Sequence, residues 1–388
     1  MKLAYIFTAF PVRSQSFGVS ELKSLDKVGC RVDIYRQEDK WPVEGFGIEG
    51  LSLQKIRLGE KLRSLFSPLF ILMMLFSLKY SKKPVELIRA IILIPSSLAI
   101  ARRIVSEEYD VIHLFWAHYP SLVAYAIKNL KKGETKFTTF CGAYDMTSEY
   151  GLSRWSTSNA NAVITHCNAS RDYLQEKWGV KSEVFYRGVN LPGNNARTVP
   201  KSKSRKVIVA SRLIEPKRVD LAIDFFVNLK KVWKDAELNI YGDGPLRKDL
   251  EIYASKQGHA GDINFFGYIS QDKLIGKFME SSVIILASES KSERLPNVIK
   301  EAMMVGCIPI SSRSEGISEL IADGEDGFIV DADLFRFPDV AKRVAQAIDE
   351  KEGEIRTRSR NKIVFLFNNE LIAKRKVRLW KEVCNESA

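Results

Sequence analysis

Short apolar runs, each too brief for a helix, recur along this chain and alternate with stretches of helical spacing. That alternation restricts the fold more than any other feature. Strands that are apolar at nearly every position are buried on both faces, and the intervening helices must supply the cover. The pattern therefore predicts doubly wound parallel sheets of the α/β class. Strand-like runs fall at Leu3–Phe10, Val111–Ala117, Lys136–Gly142, Ala162–Cys167 and Glu183–Arg187. A second series follows at Lys206–Ala210, Glu237–Tyr241, Ile263–Tyr268, Val283–Ala287, Cys307–Ser311 and Gly327–Val330. Its helical stretches are Val219–Trp233, Leu246–Lys256, Asp272–Glu280, Asn297–Val305 and Val340–Glu350. At 388 residues the chain is too long for one ordinary core. The segment Gly188–Ser204, rich in Gly, Pro, Asn and Ser, reads as a linker. We expect a first domain over 1–190, a linker over 191–205, a second domain over 206–355, and a helical, basic tail over 356–388 that crosses back to the first domain. In such sheets ligands bind beyond the carboxyl ends of the strands.

Composition narrows the partners. Lys and Arg number 59 against 47 Asp and Glu, a net charge of +12, which favours anionic ligands or surfaces. Residues 51–105 hold ten basic side chains against Glu60 and Glu86, so 10 − 2 = +8 of that excess sits in one stretch. Two uncharged runs interrupt it, Ser64–Leu78 and Ala90–Ala101, each shorter than the ~20 residues that span a bilayer. Two readings fit: helices lying on an anionic membrane face, or core helices of an α/β domain with solvated Lys and Arg. No nucleic-acid module accompanies the charge, so a nucleic-acid partner is not expected. The five cysteines are scattered, without a C-x-x-C, which suits a reducing compartment rather than a disulfide framework. The apolar opening, Leu3–Phe10, is short for a signal peptide and reads as a buried first strand.

The densest chemical signal runs from Ser288 to Pro309. A strand ends near Ser288, a loop carries Glu293, and Pro296 or Asn297 opens a helix that places Glu301 one turn inside. Free backbone N–H groups at a helix start suit a phosphate, and two carboxylates suit sugar hydroxyls. Glu293 and Glu301, inside E-R-L-P-N-V-I-K-E-A-M, resemble the E-x7-E motif of glycosyltransferase family 4. Other blocks resemble that family in the same order. They are Val209-Ala-Ser-Arg212-Leu-Ile-Glu-Pro-Lys217, the turn Tyr241-Gly242-Asp-Gly244-Pro245, the run Ile263–Tyr268, and Gly316-Ile-Ser-Glu319…Asp323-Gly324-Glu-Asp-Gly327. The resemblance implies the GT-B fold, two Rossmann-like domains with an interdomain cleft.

It also implies roles. Arg212 and Lys217 would take the charge of a leaving nucleotide diphosphate, Glu293 would hold the donor sugar, and Glu301 the ribose. Gly242, Gly244, Tyr268, Leu295, Pro296 and Asn297 would line the donor site. The first half resembles the family less closely. Phe10-Pro-Val-Arg13-Ser-Gln-Ser16-Phe17 is similar to an opening seen in exopolysaccharide and lipopolysaccharide glycosyltransferases, with Arg13, Ser16 and Phe17 expected to face the cleft. His118, in His113-Leu-Phe-Trp-Ala-His118, is a candidate acceptor or donor contact. Family members carry a further histidine after the next strand. Here Cys141 or Gly142 stands in its place, with Tyr144 and Asp145 as nearby polar groups.

The expected reaction is sugar transfer, with retention, from a UDP- or GDP-sugar to a lipid-linked glycan or lipopolysaccharide at the cytoplasmic face of the membrane. No metal or other cofactor is expected. Asp331-Ala-Asp333 reads as a surface loop. The absence of an early G-x-G-x-x-G argues against a dinucleotide oxidoreductase, and an epimerase of similar fold would carry different motifs. A catalytically silent, membrane-bound scaffold that binds a nucleotide sugar is the alternative.

Overall fold

The computed structural model describes residues 1–12, 16–39, 48–131, 136–190, 205–259, 261–290 and 293–385. It divides into two compact units, Met1–Asn190 with Asn369–Ala388, and Leu191–Asn368. The expected linker lies almost wholly outside the described residues.

The first unit is built on a seven-stranded parallel sheet ordered β3-β2-β1-β4-β5-β6-β7. Its strands are β1 (Lys2–Ala9), β2 (Arg31–Glu38), β3 (Ser52–Leu53), β4 (Val111–Leu114), β5 (Phe137–Phe140), β6 (Ala162–Thr165) and β7 (Glu183–Val184). Strand β1 pairs Leu3–Ile6 with Val111–Leu114 on one side and Leu3–Phe7 with Val32–Arg36 on the other. Its alternate residues feed two cores. Ala4 and Ile6 join a core beneath α3 (Pro68–Tyr80), α4 (Pro84–Ser106), α5 (Ser121–Leu130) and α7 (Gly151–Asn159). Leu3, Tyr5 and Phe7 join a second core beneath α1 (Ser16–Lys27) and α15 (Asn369–Asn385). The remaining helices of this unit are α2 (Leu58–Leu65), α6 (Ala143–Thr147) and α8 (Asn168–Tyr173).

The apolar-run pattern does not reveal β2, and the reason is chemical. Arg31, Asp33, Arg36 and Glu38 interrupt the run, yet the strand sits inside the sheet. Buried Asp33 accepts hydrogen bonds from Ser52, Gln54 and Tyr109, and buried Gln37 donates to Ser97 and the Tyr119 carbonyl. Polar groups bonded in this way are tolerated inside a sheet.

The second unit repeats the plan with six parallel strands ordered β10-β9-β8-β11-β12-β13. They are β8 (Lys206–Ala210), β9 (Glu237–Tyr241), β10 (Ile263–Gly267), β11 (Val283–Leu286), β12 (Ile308–Ser312) and β13 (Phe328–Val330). The helices are α9 (Val219–Lys230), α10 (Arg247–Lys256), α11 (Gln271–Glu280), α12 (Asn297–Met304), α13 (Ile317–Leu320) and α14 (Pro338–Leu366). Strand order reverses between β1 and β4 in one sheet and between β8 and β11 in the other, so each unit has a crevice beyond those strand ends.

The tail departs from the expected boundary at 356. Helix α14 continues past a non-helical Lys351 and stays in the second unit, where Arg356 donates to the Gly306 carbonyl at 2.7 Å and Ile363 is buried. The chain joins the first unit from Asn369. There Trp380 is fully buried against Tyr5 and donates to Thr138 Oγ1, and Lys376 donates to Glu21 at 2.6 Å.

Helix α4 also exceeds the uncharged run from which it was read. It spans 23 residues by including Arg89, Arg102 and Arg103, and is long and apolar enough to cross a membrane. More than half of its most apolar window is buried within the first unit.

Candidate active site

In the second unit the site begins where β8 and β11 end. After β8 the chain turns through Arg212 and Leu213 into a short 3-10 turn, Glu215–Lys217. After β11, Ser288 Oγ and the Glu289 N–H both donate to the Pro216 carbonyl, tying the two loops together. The result is a contact between two side chains 76 residues apart: Lys217 Nζ donates to Glu293 Oε1 at 2.6 Å, with both side chains mostly buried. The other oxygen, Glu293 Oε2, is buried and has no hydrogen-bond partner among the described residues. A buried carboxylate oxygen without a donor is costly in isolation, and donor hydroxyls from a ligand would satisfy it. Arg212 is exposed beside this pair in sequence.

Gly242 and Gly244 act on the loop that carries Arg212. A Cβ at Gly242, whose φ is +137°, would lie 1.8 Å from the Ser211 carbonyl oxygen, and one at Gly244 would lie 2.3 Å from that of Leu213. The turn presses backbone to backbone, with Leu213 N–H donating to Asp243 O and Leu246 N–H to Leu213 O. Only glycine allows that approach.

Leu295 and Pro296 are buried, and Asn297 opens α12. One turn in, Glu301 accepts from Gln271 Nε2 at 2.6 Å. Burial pushes its carboxyl up to about 7, against the opposing effects of the Gln271 bond and Lys300. Tyr268 stands exposed just after β10.

Arg218 was not foreseen, although it follows Lys217 directly. It adopts a left-handed backbone, φ +43°, and holds Asp220 and Glu289 through its guanidinium. A non-glycine residue there is strained, and its bonds keep the 215–218 turn in place.

The first unit gathers the other candidates around one imidazole. His118 Nδ1 bonds Asp145 Oδ1 at 2.8 Å. The wholly buried Asp145 carboxylate also accepts from Ser153 Oγ at 2.8 Å and from the Gly142 N–H at 3.0 Å. A carboxylate only accepts, so Nδ1 donates to Asp145 and the ring's orientation is fixed. Tyr150 stacks on the ring at 5.4 Å, Tyr144 and Tyr119 meet it edge-on, and Tyr144 and Tyr150 share a hydrogen bond of 3.2 Å. Asp145 thus orients the histidine and caps α6; it is not itself open to a ligand.

The place of the family's further histidine is filled by packing. Cys141 is fully buried, and a Cβ at Gly142 would meet the Trp116 ring at 2.5 Å. Trp116 takes the space a side chain at 142 would need. Phe17 turns onto Phe115, beneath Arg187. Arg13 lies outside the described residues, and Ser16 opens α1. Arg187, read from sequence as a strand end, is a partly buried side chain beyond β7 instead. Its guanidinium stacks over Phe17, Trp116 and Phe140 at 3.9, 4.9 and 4.5 Å, and burial lowers its pKa to about 10. His113 is a core residue: it bonds Thr138 Oγ1, and burial holds it well below the usual histidine range.

Comparison with known proteins agrees with this architecture. The family "Glycosyl transferases group 1" matches residues 194–363, and "Glycosyltransferase Family 4" matches residues 22–192. Alpha-D-kanosaminyltransferase of Streptomyces kanamyceticus is 24% identical over 212 residues, 51% of this chain and 54% of its own. The alignment therefore spans about half the length of that relative. The lipopolysaccharide core biosynthesis glycosyltransferase of Rhizobium meliloti is 31% identical over 125 residues, covering 32% and 34%. Among solved structures, a glycosyltransferase from Rickettsia africae superposes with a TM-score of 0.72 at 17% identity, covering 99% of this chain and 98% of the other. An Anabaena protein in complex with UDP-glucose superposes with a TM-score of 0.67 at 14% identity, covering 98% and 100%.

Proposed function

The chain belongs to glycosyltransferase family 4, and we propose that it moves a sugar from a nucleotide diphosphosugar, UDP- or GDP-linked, to a lipid-linked glycan or lipopolysaccharide in cell-surface polysaccharide synthesis. The observation that carries the reading is the Lys217–Glu293 contact with the second oxygen of Glu293 left without a donor. A cation and a carboxylate with one unpaired oxygen, side by side at the strand-order reversal, match a diphosphate joined to a polyhydroxylated ring.

Each step follows from charge. As the bond from the anomeric carbon to the diphosphate breaks, negative charge grows on the leaving phosphate. Lys217 and Arg212 stabilise it, supplying the positive charge that a metal ion would otherwise bring. Glu293 Oε2 accepts from a donor-sugar hydroxyl, and Glu301 from the ribose hydroxyls. The N–H groups that open α12 add favourable electrostatics for phosphate. The acceptor oxygen attacks the same face that the diphosphate leaves, a phosphate oxygen takes its proton, and the anomeric configuration is retained. His118, held by Asp145, offers Nε2 to a hydroxyl of the donor or acceptor. The lipopolysaccharide relative supports an envelope glycan as acceptor, and the Anabaena complex supports a UDP-sugar as donor.

The test is release of nucleotide diphosphate by purified protein from UDP-, GDP- and ADP-sugars in the presence of membrane lipid extract. Release from one donor, abolished in Glu293→Ala, is expected. Silence with every donor while nucleotide still binds would overturn the reading in favour of a nucleotide-sugar-binding scaffold.

A further inference from the structure

Three helices of the first unit leave apolar side chains in solvent at helical spacing. On α2 these are Leu58, Leu62 and Leu65; on α3, Ile71, Leu75 and Leu78; on α4, Val85, Ile88 and Ile92. Phe66, between α2 and α3, is 89% exposed. Each set recurs at three- or four-residue steps, so each is a stripe along one side of its helix, away from the core positions Met73 and Phe76 on α3 and Ala90, Leu93 and Ile94 on α4. Helices α2 and α3 both pack on α4, and a two-bonded contact from Arg103 to Glu60 locks α2 to it. These ten large apolar side chains all lie between residues 58 and 92, a concentration unlike the single scattered apolar residues of an ordinary surface.

The charge around these stripes is predominantly positive, with Glu149 and Asp39 as acids that pair with Lys82 and Lys61. Lys55, Arg57, Arg63, Lys79, Lys82 and Lys83 are exposed. The two acids of residues 51–105 are both engaged: Glu60 with Arg103, and buried Glu86 with the Lys82 N–H. An acidic lipid surface complements such a face, with the stripes in the acyl boundary and the cations among the headgroups. A second copy of the chain does not complement it, because a twofold contact would bring like charges together.

The face also connects to the His118 cluster. At the junction of α3 and α4, Lys83 Nζ donates to the Ser148 carbonyl at 3.4 Å, and Lys82 pairs with Glu149 at 3.6 Å. A Cβ at Gly151 would lie 1.8 Å from the Tyr80 carbonyl oxygen, so the backbones meet there. Between these contacts, Glu149 holds a left-handed backbone, φ +50°, and Tyr150 stacks on His118. We infer that α2, Phe66, α3 and the first half of α4 form a face that lies in the headgroup boundary of an anionic bilayer, on the cytoplasmic side, and that the 148–151 segment thereby holds the His118 cluster at the lipid surface. The docking face stands by itself; its use in reaching a lipid-linked acceptor rests on the transferase reading.

The experiment is flotation of the full chain with vesicles of phosphatidylcholine, with and without phosphatidylglycerol. Wild type is expected to float with the anionic vesicles and far less with neutral ones. Ile71→Glu/Leu75→Glu/Ile88→Glu, all at exposed positions, should lower binding by about tenfold or more, because each buried apolar side chain is replaced by a charge the lipid repels. Lys55→Glu/Arg63→Glu/Lys79→Glu should remove the preference for anionic lipid. Circular dichroism and nucleotide binding confirm that both variants are folded. The inference is overturned if wild type floats with neither vesicle or if the apolar variant floats like wild type. It is equally overturned if light scattering finds a dimer that the apolar variant splits. Failure here with Glu293-dependent donor turnover intact would remove the docking face alone and leave the transferase reading standing.

Discussion

The two units place their candidate groups at equivalent points of the same topology but build them from different materials. In the second unit the site is made of charge: Lys217 against Glu293, Arg212 on a loop braced by two glycines, and Glu301 at a helix start. In the first unit it is made of rings, with His118 held by one buried carboxylate among Trp116, Tyr119, Tyr144 and Tyr150. The contrast fits a division of labour. A diphosphate leaves as an anion and demands fixed cations, whereas an acceptor hydroxyl needs one oriented base-like nitrogen and a surface to lie against.

That comparison breaks most visibly at Glu293. Glu293→Ala removes the carboxylate and strands Lys217 with no anion. Turnover should fall by about a thousandfold, the upper range for deleting one electrostatic group at a reacting centre. Thermal melting should also fall, because a mostly buried lysine loses its ion-pair partner, and nucleotide binding measured beside steady-state kinetics and a melting curve separates lost chemistry from lost folding. His118→Asn probes the other unit. It should lower kcat by about a hundredfold, the scale of one acid–base or polar contact, while nucleotide affinity stays at the wild-type value by calorimetry. A matching loss of nucleotide affinity would erase the division between the units.

Trp380→Ala separates the units by stability. Emptying a fully buried indole site should cost about 3–5 kcal/mol. The loss should fall on the first unit, where Trp380 packs on Tyr5 and Thr138, and leave nucleotide binding by the second unit intact in urea titrations followed by two probes.

The smallest effect concerns pH. Burial raises the Glu301 carboxyl to about 7, so the folded protein holds this proton more tightly than the unfolded chain does. The group therefore costs stability as pH rises from the unfolded carboxyl range through 7. In its proposed role Glu301 accepts from ribose hydroxyls, which favours the ionised form. Nucleotide affinity should thus weaken by about tenfold from pH 8 to pH 6, and Glu301→Gln should flatten the profile.

The sequence was most readable where function lies in contiguous segments. The E-x7-E block, the Arg212–Lys217 loop and the 241–245 turn each sit on one strand-to-helix crossing, so spacing alone brings them near strand ends. What spacing could not convey was contact. The Lys217–Glu293 bond joins two loops, and Asp145 reaches His118 across 27 residues. Arg187 looked like a strand end because its aromatic cage comes from three separate segments. Strand β2 was hidden because its charged residues find partners only in the folded sheet. The apolar segments of 51–105 were visible as composition, whereas their division into buried and exposed stripes required the helices themselves.

The most direct test of a transferase built on the Lys217–Glu293 pair is proton NMR of the anomeric signal while wild type and Glu293→Ala act on the donor selected by the diphosphate screen. The account predicts that wild type converts the α-linked donor signal into an α-linked product signal and that the variant leaves the donor unchanged. A β-linked product, or equal turnover by the variant, would contradict it.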